Sequence, residues 1–186
     1  TVTRLAPPTL GTPLAFAVSA TGAESECPVT SDGGAPVTQR GMVYVVTSIN
    51  GTPRIDGTGV TNTVMTGGDV NQIDYVFFGL TPGTSYSFVA YATNSEGTSY
   101  SSTTTFTILT PEIVMTGNGI NIADGDTSPT LGDHTDFGST ATAGGTVTRT
   151  FAIQNTGDAT LTLGPVVIGG ADAASFIVNA PPPSSV

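Results

Sequence analysis

Through most of the first hundred residues apolar side chains recur at every second position, the period that lines one face of a β-strand. In "QIDYVFFGL", Ile73, Tyr75 and Phe77 share a face. In "SYSFVAYAT", Tyr86, Phe88, Ala90 and Ala92 fall on one face and Ser87, Val89 and Tyr91 on the other. "MVYVVTSINGTPRI" predicts a strand and then a second extended stretch, with Asn50-Gly51 between them. Asn-Gly tolerates the positive φ angles of a type I′ turn, so a hairpin is expected there. Turn-forming clusters at "TSDGGAP", "MTGGDVN", "LTPGTS" and "NSEGTS" separate the strands. Short strands at this spacing predict a β-sandwich with Greek-key connections.

The pattern thins in the second half. "EIVMTG" and "GINIAD" predict short strands, and "GGTVTRTFAIQNTGDATLTLGPVVIGG" predicts two more around the turn Asn155-Thr156-Gly157-Asp158. Phe151, Ile153, Leu161 and Leu163 would line one face of that pair. "ASFIV" predicts a further strand with Phe176 and Val178 inward. Among these strands lies "IADGDTSPTLGDHTDFG", which packs four aspartates and the only histidine of the chain into seventeen positions.

Composition supports an all-β reading. The chain carries 34 Thr and no Lys, with Gly 24, Pro 13 and no Trp. β-Branched Thr suits the solvent face of a strand, where a helical protein would use Lys and Glu. The net charge is −10, with Arg4, Arg40, Arg54 and Arg149 as the only cations. Nucleic-acid binding needs basic groups to displace counterions from phosphates, so that role is excluded, and anionic membrane surfaces are disfavoured alike. No apolar run reaches the length of a bilayer span, so no membrane insertion is expected. Cys27 stands alone, which rules out a disulfide framework and a Cys-based metal motif; it is expected to be a small buried apolar residue in a strand. The chain opens at Thr1 rather than Met, as expected of a processed or excised segment. A Thr/Gly-rich, Lys-free chain without disulfides is expected of a bacterial cell-surface or extracellular protein.

At "LTPGTSYSFVAYATNSEG" the chain resembles the E–F corner and F strand of fibronectin type III domains. The match runs through Leu80, Pro82, Thr84, Tyr86, Phe88, Ala90, Ala92, Asn94 and Gly97. The resemblance implies a fibronectin type III-like β-sandwich over residues 9–109. Tyr86 would then be a tyrosine corner, its ring buried and its hydroxyl bonded to the turn backbone. "VTSDGGAPVTQRGMVY" is similar to variants found in long bacterial surface proteins. The usual B-strand Trp is missing, with the Cys27–Val29 segment in its place, and no Arg-Gly-Asp supports integrin-type recognition.

"TDFGST…GGTVTRTFAIQNTGDATLTL" resembles the Ig-like modules of ciliary, centrosomal and bacterial surface proteins called choice-of-anchor D domains. Asp136, Phe137, Gly138, Thr146, Val147, Arg149, Phe151, Ile153, Asn155, Thr156, Gly157, Leu161 and Leu163 carry that match. Family members continue past the position of Phe176 with further strands. The resemblance therefore implies a second Ig-like sandwich over residues 111–186, in tandem with the first and incomplete by two or three strands.

The acidic stretch has two readings. Asp hydrogen-bonds its own backbone and Gly supplies positive φ, so a run of turns accounts for it. Carboxylates with flanking carbonyls are also the oxygen ligands of Ca²⁺, with Asp124, Asp126, Asp133 and Asp136 as the ligand set of a structural ion. It is not an EF-hand, because Pro129 stands where that loop needs Gly. Zinc would want several His or Cys, so His134 reads as a solvated loop residue. No Gly-x-Ser-x-Gly or second His supports nucleophilic catalysis, and Asp124 and Asp126 lack nearby aromatics to bind a sugar for glycoside hydrolysis. The chain is expected not to be an enzyme.

Three non-catalytic roles remain. The first is a structural or adhesive module, a stalk or spacer whose partners are other modules of the same chain. The second is a self-assembling extracellular filament, with neighbouring copies as partners. There a donated segment completes the second module, and "TVTRLAPPTLGTPLAFAVSA" serves either as that donor or as the first module's own first strand. The third is a carbohydrate-binding module that meets a cell-surface glycan through Tyr91 or Tyr100.

Overall fold

A computed structural model describes residues 4–66, 72–141 and 143–186. The chain divides into two compact units, Thr1–Leu109 and Thr110–Val186. The turn expected at "MTGGDVN" lies largely outside the described residues.

The first unit begins with β1 (Thr9–Leu10), β2 (Leu14–Phe16), β3 (Ala23–Ser31), β4 (Gln39–Val46) and β5 (Thr61–Thr66). It continues with β6 (Gln72–Phe77), β7 (Ser85–Asn94), β8 (Gly97–Tyr100) and β9 (Thr104–Thr107). One sheet centres on β3, which pairs β1 and β2 along one edge and β6 along the other. The second runs β5-β4-β7, with β8 and β9 sharing the far edge of β7. All pairings are antiparallel, and the result is a fibronectin type III-like β-sandwich. The segment that could have been a donor strand is the unit's own first strand, since β1 and β2 both pair β3.

Alternation builds the core. From β3, Ala23, Ser25, Cys27 and Val29 turn inward, and from β6, Ile73 and Phe77. They meet Met42, Tyr86, Phe88, Ala90, Ala92 and Phe106 of the opposite sheet. With Trp absent, Phe77 takes the central place. Its ring lies 5.0 Å from Tyr44, 5.4 Å from Phe88 and 5.1 Å from Phe106, mostly in the edge-on or tilted geometries that aromatic quadrupoles favour. Cys27 is fully buried in this core, and burial pushes its thiol up to about 11. It stays protonated at neutral pH and behaves as a small hydrophobe.

The Asn50-Gly51 hairpin does not form. β4 stops at Val46 and its antiparallel neighbour starts only at Thr61, and neither Asn50 nor Gly51 has a positive φ. Asn50 instead accepts the Thr52 N–H on its side-chain oxygen at 3.0 Å. The physical reason is tertiary. Ile55 and Val60, within residues 47–60, pack on Val43, Val89 and Tyr91, which are fully buried on the outward face of the second sheet. Burying that face outweighs the local turn preference. The type I′ turn occurs elsewhere, at Asn118-Gly119, with φ of 51° and 75°.

The second unit has three strands among its described residues. β10 (Ile113–Gly117) and β11 (Ile120–Ile122) form the hairpin around Asn118-Gly119, and β12 (Phe151–Asn155) pairs the other edge of β10. The second strand expected after the Asn155–Asp158 turn reduces to a single bridge between Thr162 and Ser185. "ASFIV" is not a strand: Ala173–Ser175 form a 3₁₀ turn, with Phe176 and Val178 exposed. Phe151, Ile153, Leu161 and Leu163 are half-buried, and among the described residues of this unit only Gly117, Asp133 and Ala159 are buried. Among the described residues no second sheet covers the face, so those segments lack the packing partner that would hold them extended.

Candidate functional site

Three of the four aspartates of the acidic stretch bond within their own loop. Asp126 Oδ1 accepts the Ser128 N–H at 2.8 Å, and Asp136 Oδ1 accepts the Gly138 N–H at 2.7 Å. Asp133 Oδ1 accepts both the N–H and the hydroxyl of Thr135, at 3.0 and 2.6 Å. Those Thr135 bonds hold the Asp133 carboxyl below its usual range. Each is a side chain bonding two residues ahead, the device by which Asp makes turns. Asp124 is exposed in the turn after β11, and His134 has a φ of 68° in the same loop. Among the described residues, no group of three or more His, Cys, Asp or Glu side chains is placed to hold a metal ion.

The two tyrosines of the carbohydrate-binding reading both lie on strands. Tyr91 lies in β7 and Tyr100 in β8, in register across the ladder with ring centroids 6.3 Å apart. Tyr91 is fully buried beneath residues 47–60, and its hydroxyl donates to the Thr63 carbonyl at 3.3 Å. The Arg54 guanidinium covers Tyr100, 4.6 Å from its ring centroid. A sugar needs an open aromatic face to stack on, and Tyr91 offers none. Arg54 and the covering segment were missed in the sequence. The available signal was β7 itself, apolar on both faces and therefore in need of two covers.

The ends of the first unit are the most elaborately tied part of the molecule. At one end Asn94 donates from Nδ2 to the Ala6 and Asp32 carbonyls, both at 2.7 Å, and its Oδ1 accepts the Glu96 N–H. The Ala6 N–H donates to Gly33 O at 3.0 Å. Gly33, at φ 74°, is needed here because a Cβ would lie 1.9 Å from the Ala6 carbonyl oxygen. At the other end the Thr81 N–H donates to the Tyr86 hydroxyl at 3.2 Å, which is the tyrosine corner. The Gly83 N–H donates to Ile108 O and the Leu109 N–H to Ser19 O. The chain thus enters beside Asn94, the last residue of β7, and leaves beside Ser85, its first. Ten residues of strand separate the two points, about 30 Å at 3.3 Å per residue.

Asn155 repeats the device in the second unit. Its Oδ1 accepts the Glu112 and Gly157 N–H groups, and its Nδ2 donates to the Ala159 and Val186 carbonyls. Asp158 and Ala159 donate to the Thr110 carbonyl, closing the turn over the start of the unit.

Among the described residues no helix is long and apolar enough to cross a membrane. No protein-family model and no curated protein sequence matches the chain. Solved structures do. The short form of the sensor domain of the anti-sigma factor RsgI4 from Pseudobacteroides cellulosolvens aligns at 20% identity and a TM-score of 0.44, covering 56% of this chain and 97% of that one. A solution structure of the same sensor domain covers 67% of this chain and 88% of that one, at 20% identity and 0.43. The third fibronectin III domain of a human protein covers 58% and 86%, at 20% identity and 0.40. The overlaps are partial, and the fold rests on the strand pairings described above.

Proposed function

We propose that the chain is a non-catalytic structural module, a stalk or spacer, of a bacterial extracellular or cell-surface protein. The observation that carries this is the path through the first unit, which enters and leaves at opposite ends of β7. Tension between Ala6 and Leu109 runs along the strands. Ladder bonds in an antiparallel sheet lie perpendicular to the strands, so such tension shears many together instead of peeling them one at a time. The carbonyl clamps of Asn94 and the Tyr86 corner tie the two ends where load arrives. Exposed Thr hydroxyls pair across neighbouring strands, as at Thr93–Thr98 and Thr9–Thr30, and keep the faces hydrated without Lys. Paramagnetic labels at Thr9 and Thr107 test the geometry in solution. The reading expects a separation of about 30 Å or more, and labels much closer than that would overturn it.

A specific observation favours a second reading, the filament completed by strand donation. Ile113, Met115, Ile120, Phe176 and Ile177 of the second unit are all exposed, and β11 and β12 are both sheet edges. Exposed apolar side chains beside open edges are a template for another strand. A sedimentation series over rising concentration separates the two readings: growing polymers indicate the filament, and a constant monomer mass indicates the spacer.

A further inference from the structure

The outward face of the β2-β3-β6 sheet carries an arrangement that the spacer role does not use. Register places Phe16, Glu24 and Val76 in one row across the three strands, and Leu14, Glu26 and Asp74 in the next. Leu14, Phe16 and Val76 are exposed by 53%, 38% and 57%, and Phe78, just past β6, by 74%. Two shallow depressions of about 240 and 260 Å³ adjoin here and share Glu24 and Val76 in their walls. Apolar ridges therefore flank a carboxylate centre.

The charges make the face costly to keep unless it has a use. Glu26 sits directly opposite Asp74, and like charges in that position destabilise a sheet. Glu26 accepts a hydrogen bond from Gln72 Nε2 at 2.5 Å. No arginine lies on β2, β3 or β6, and the chain has no lysine to send there. Beside the carboxylates runs an open edge, since among the described residues β6 pairs β3 and no other strand. Its sequence, "QIDYVF", has neither the Pro nor the Lys that protects exposed edges.

We infer that this edge and face bind an extended cationic segment of a partner protein, one in which a Lys or Arg and an apolar residue follow each other at every second position, so that both fall on one face of the strand. The segment adds as a strand to β6. Its side chains on the outer face then place a cation against Asp74 and Glu26 and an apolar group against Val76 and Phe78. A second copy of this chain does not fit the same place: at net charge −10 it would set carboxylates against carboxylates. This proposal concerns the first unit alone and stands apart from the spacer reading.

The test uses the whole chain and three synthetic octapeptides: two repeats of Lys-Thr-Val-Thr, two repeats of Glu-Thr-Val-Thr, and a block peptide of the first composition, Lys-Lys-Val-Val followed by four Thr. Titration calorimetry at low salt should show binding of the Lys-Thr-Val-Thr peptide only, weakening as salt rises. Amide exchange should slow within residues 72–77 on binding. The double variant Glu24→Gln, Asp74→Asn changes exposed side chains, relieves the repulsion between Asp74 and Glu26, and should melt at or above the parent's temperature. It should bind about tenfold more weakly, which is about 1.4 kcal/mol. Equal affinity for the block peptide would mean charge condensation without strand addition and would overturn the proposal. Protection at β5, β11 or β12 instead of β6, self-association through β6 without peptide, or no binding at low salt would overturn it equally.

Discussion

Replacing Tyr86 by Phe removes one oxygen and leaves everything else about the corner in place. The ring is buried and lies stacked on Phe106 at 5.9 Å, so the apolar packing survives the change. What is lost is the acceptor for the Thr81 N–H, now 3.2 Å from the hydroxyl. A donor left unsatisfied in full burial costs about 1–3 kcal/mol. Thr81 itself is exposed, so water can reach part of that N–H, and the lower half of the range applies, about 1–2 kcal/mol. With a urea m-value of about 1–1.5 kcal/mol/M for a unit of this size, the denaturation midpoint should fall by about 1 M at unchanged slope. Intrinsic tyrosine fluorescence follows the transition, since the chain lacks Trp. A midpoint equal to the parent's within error would refute the claim that the hydroxyl bond ties this end of the unit.

Other expectations follow from the same geometry. Asn155→Ala removes four hydrogen bonds at the turn of the second unit and should destabilise it by about 1–3 kcal/mol, seen as faster amide exchange at Gly157 and Ala159. Melting curves in Ca²⁺ and in chelator should superpose, because three of the candidate carboxylates already bond their own loops; a rise in Tm with Ca²⁺ would show an ion site there. Burial raises the Cys27 pKa from 9.0 to about 11, so the unfolded chain loses that proton first. Its contribution to stability is complete below pH 9.0 and declines as pH rises towards about 11. Urea midpoints across that window should fall, and fall less in Cys27→Ala. Burial raises the Tyr75 and Tyr91 pKa values in the same direction, so part of the decline persists in the variant.

The first unit was largely readable because its information is local. The period-two pattern of β6 and β7 fixed which side chains face the core, and the spacing from Leu80 to Gly97 fixed the corner and the Asn94 turn. The segment over Val43, Val89 and Tyr91 was not readable, because it depends on contacts between residues far apart in sequence. Asn50-Gly51 has the composition of a hairpin turn, but Ile55 and Val60 are drawn onto the sheet and the turn goes with them. Asn118-Gly119, with the same dipeptide, has two short strands directly on either side and no such competition. In the second unit the alternation at Phe151, Ile153, Leu161 and Leu163 holds as half-burial, yet "ASFIV" stays irregular for want of a sheet to pair. As for the acidic stretch, composition favoured turns and left room for calcium. The Asx bonds of Asp126, Asp133 and Asp136 show how the turns are made.

The load path through the first unit is tested most directly by pulling single molecules in two geometries. In one, force is applied between Ala6 and Leu109, so that β1, β2 and β9 are sheared along their length. In the other it is applied between Gly83 and Leu109, neighbours at one end, where Gly83 N–H bonds Ile108 O at 2.9 Å and β9 must peel from β7 one bond at a time. A structural spacer predicts a rupture force severalfold higher in the first geometry, reduced by Asn94→Ala. Equal forces in the two geometries, or a lower one between Ala6 and Leu109, would contradict it.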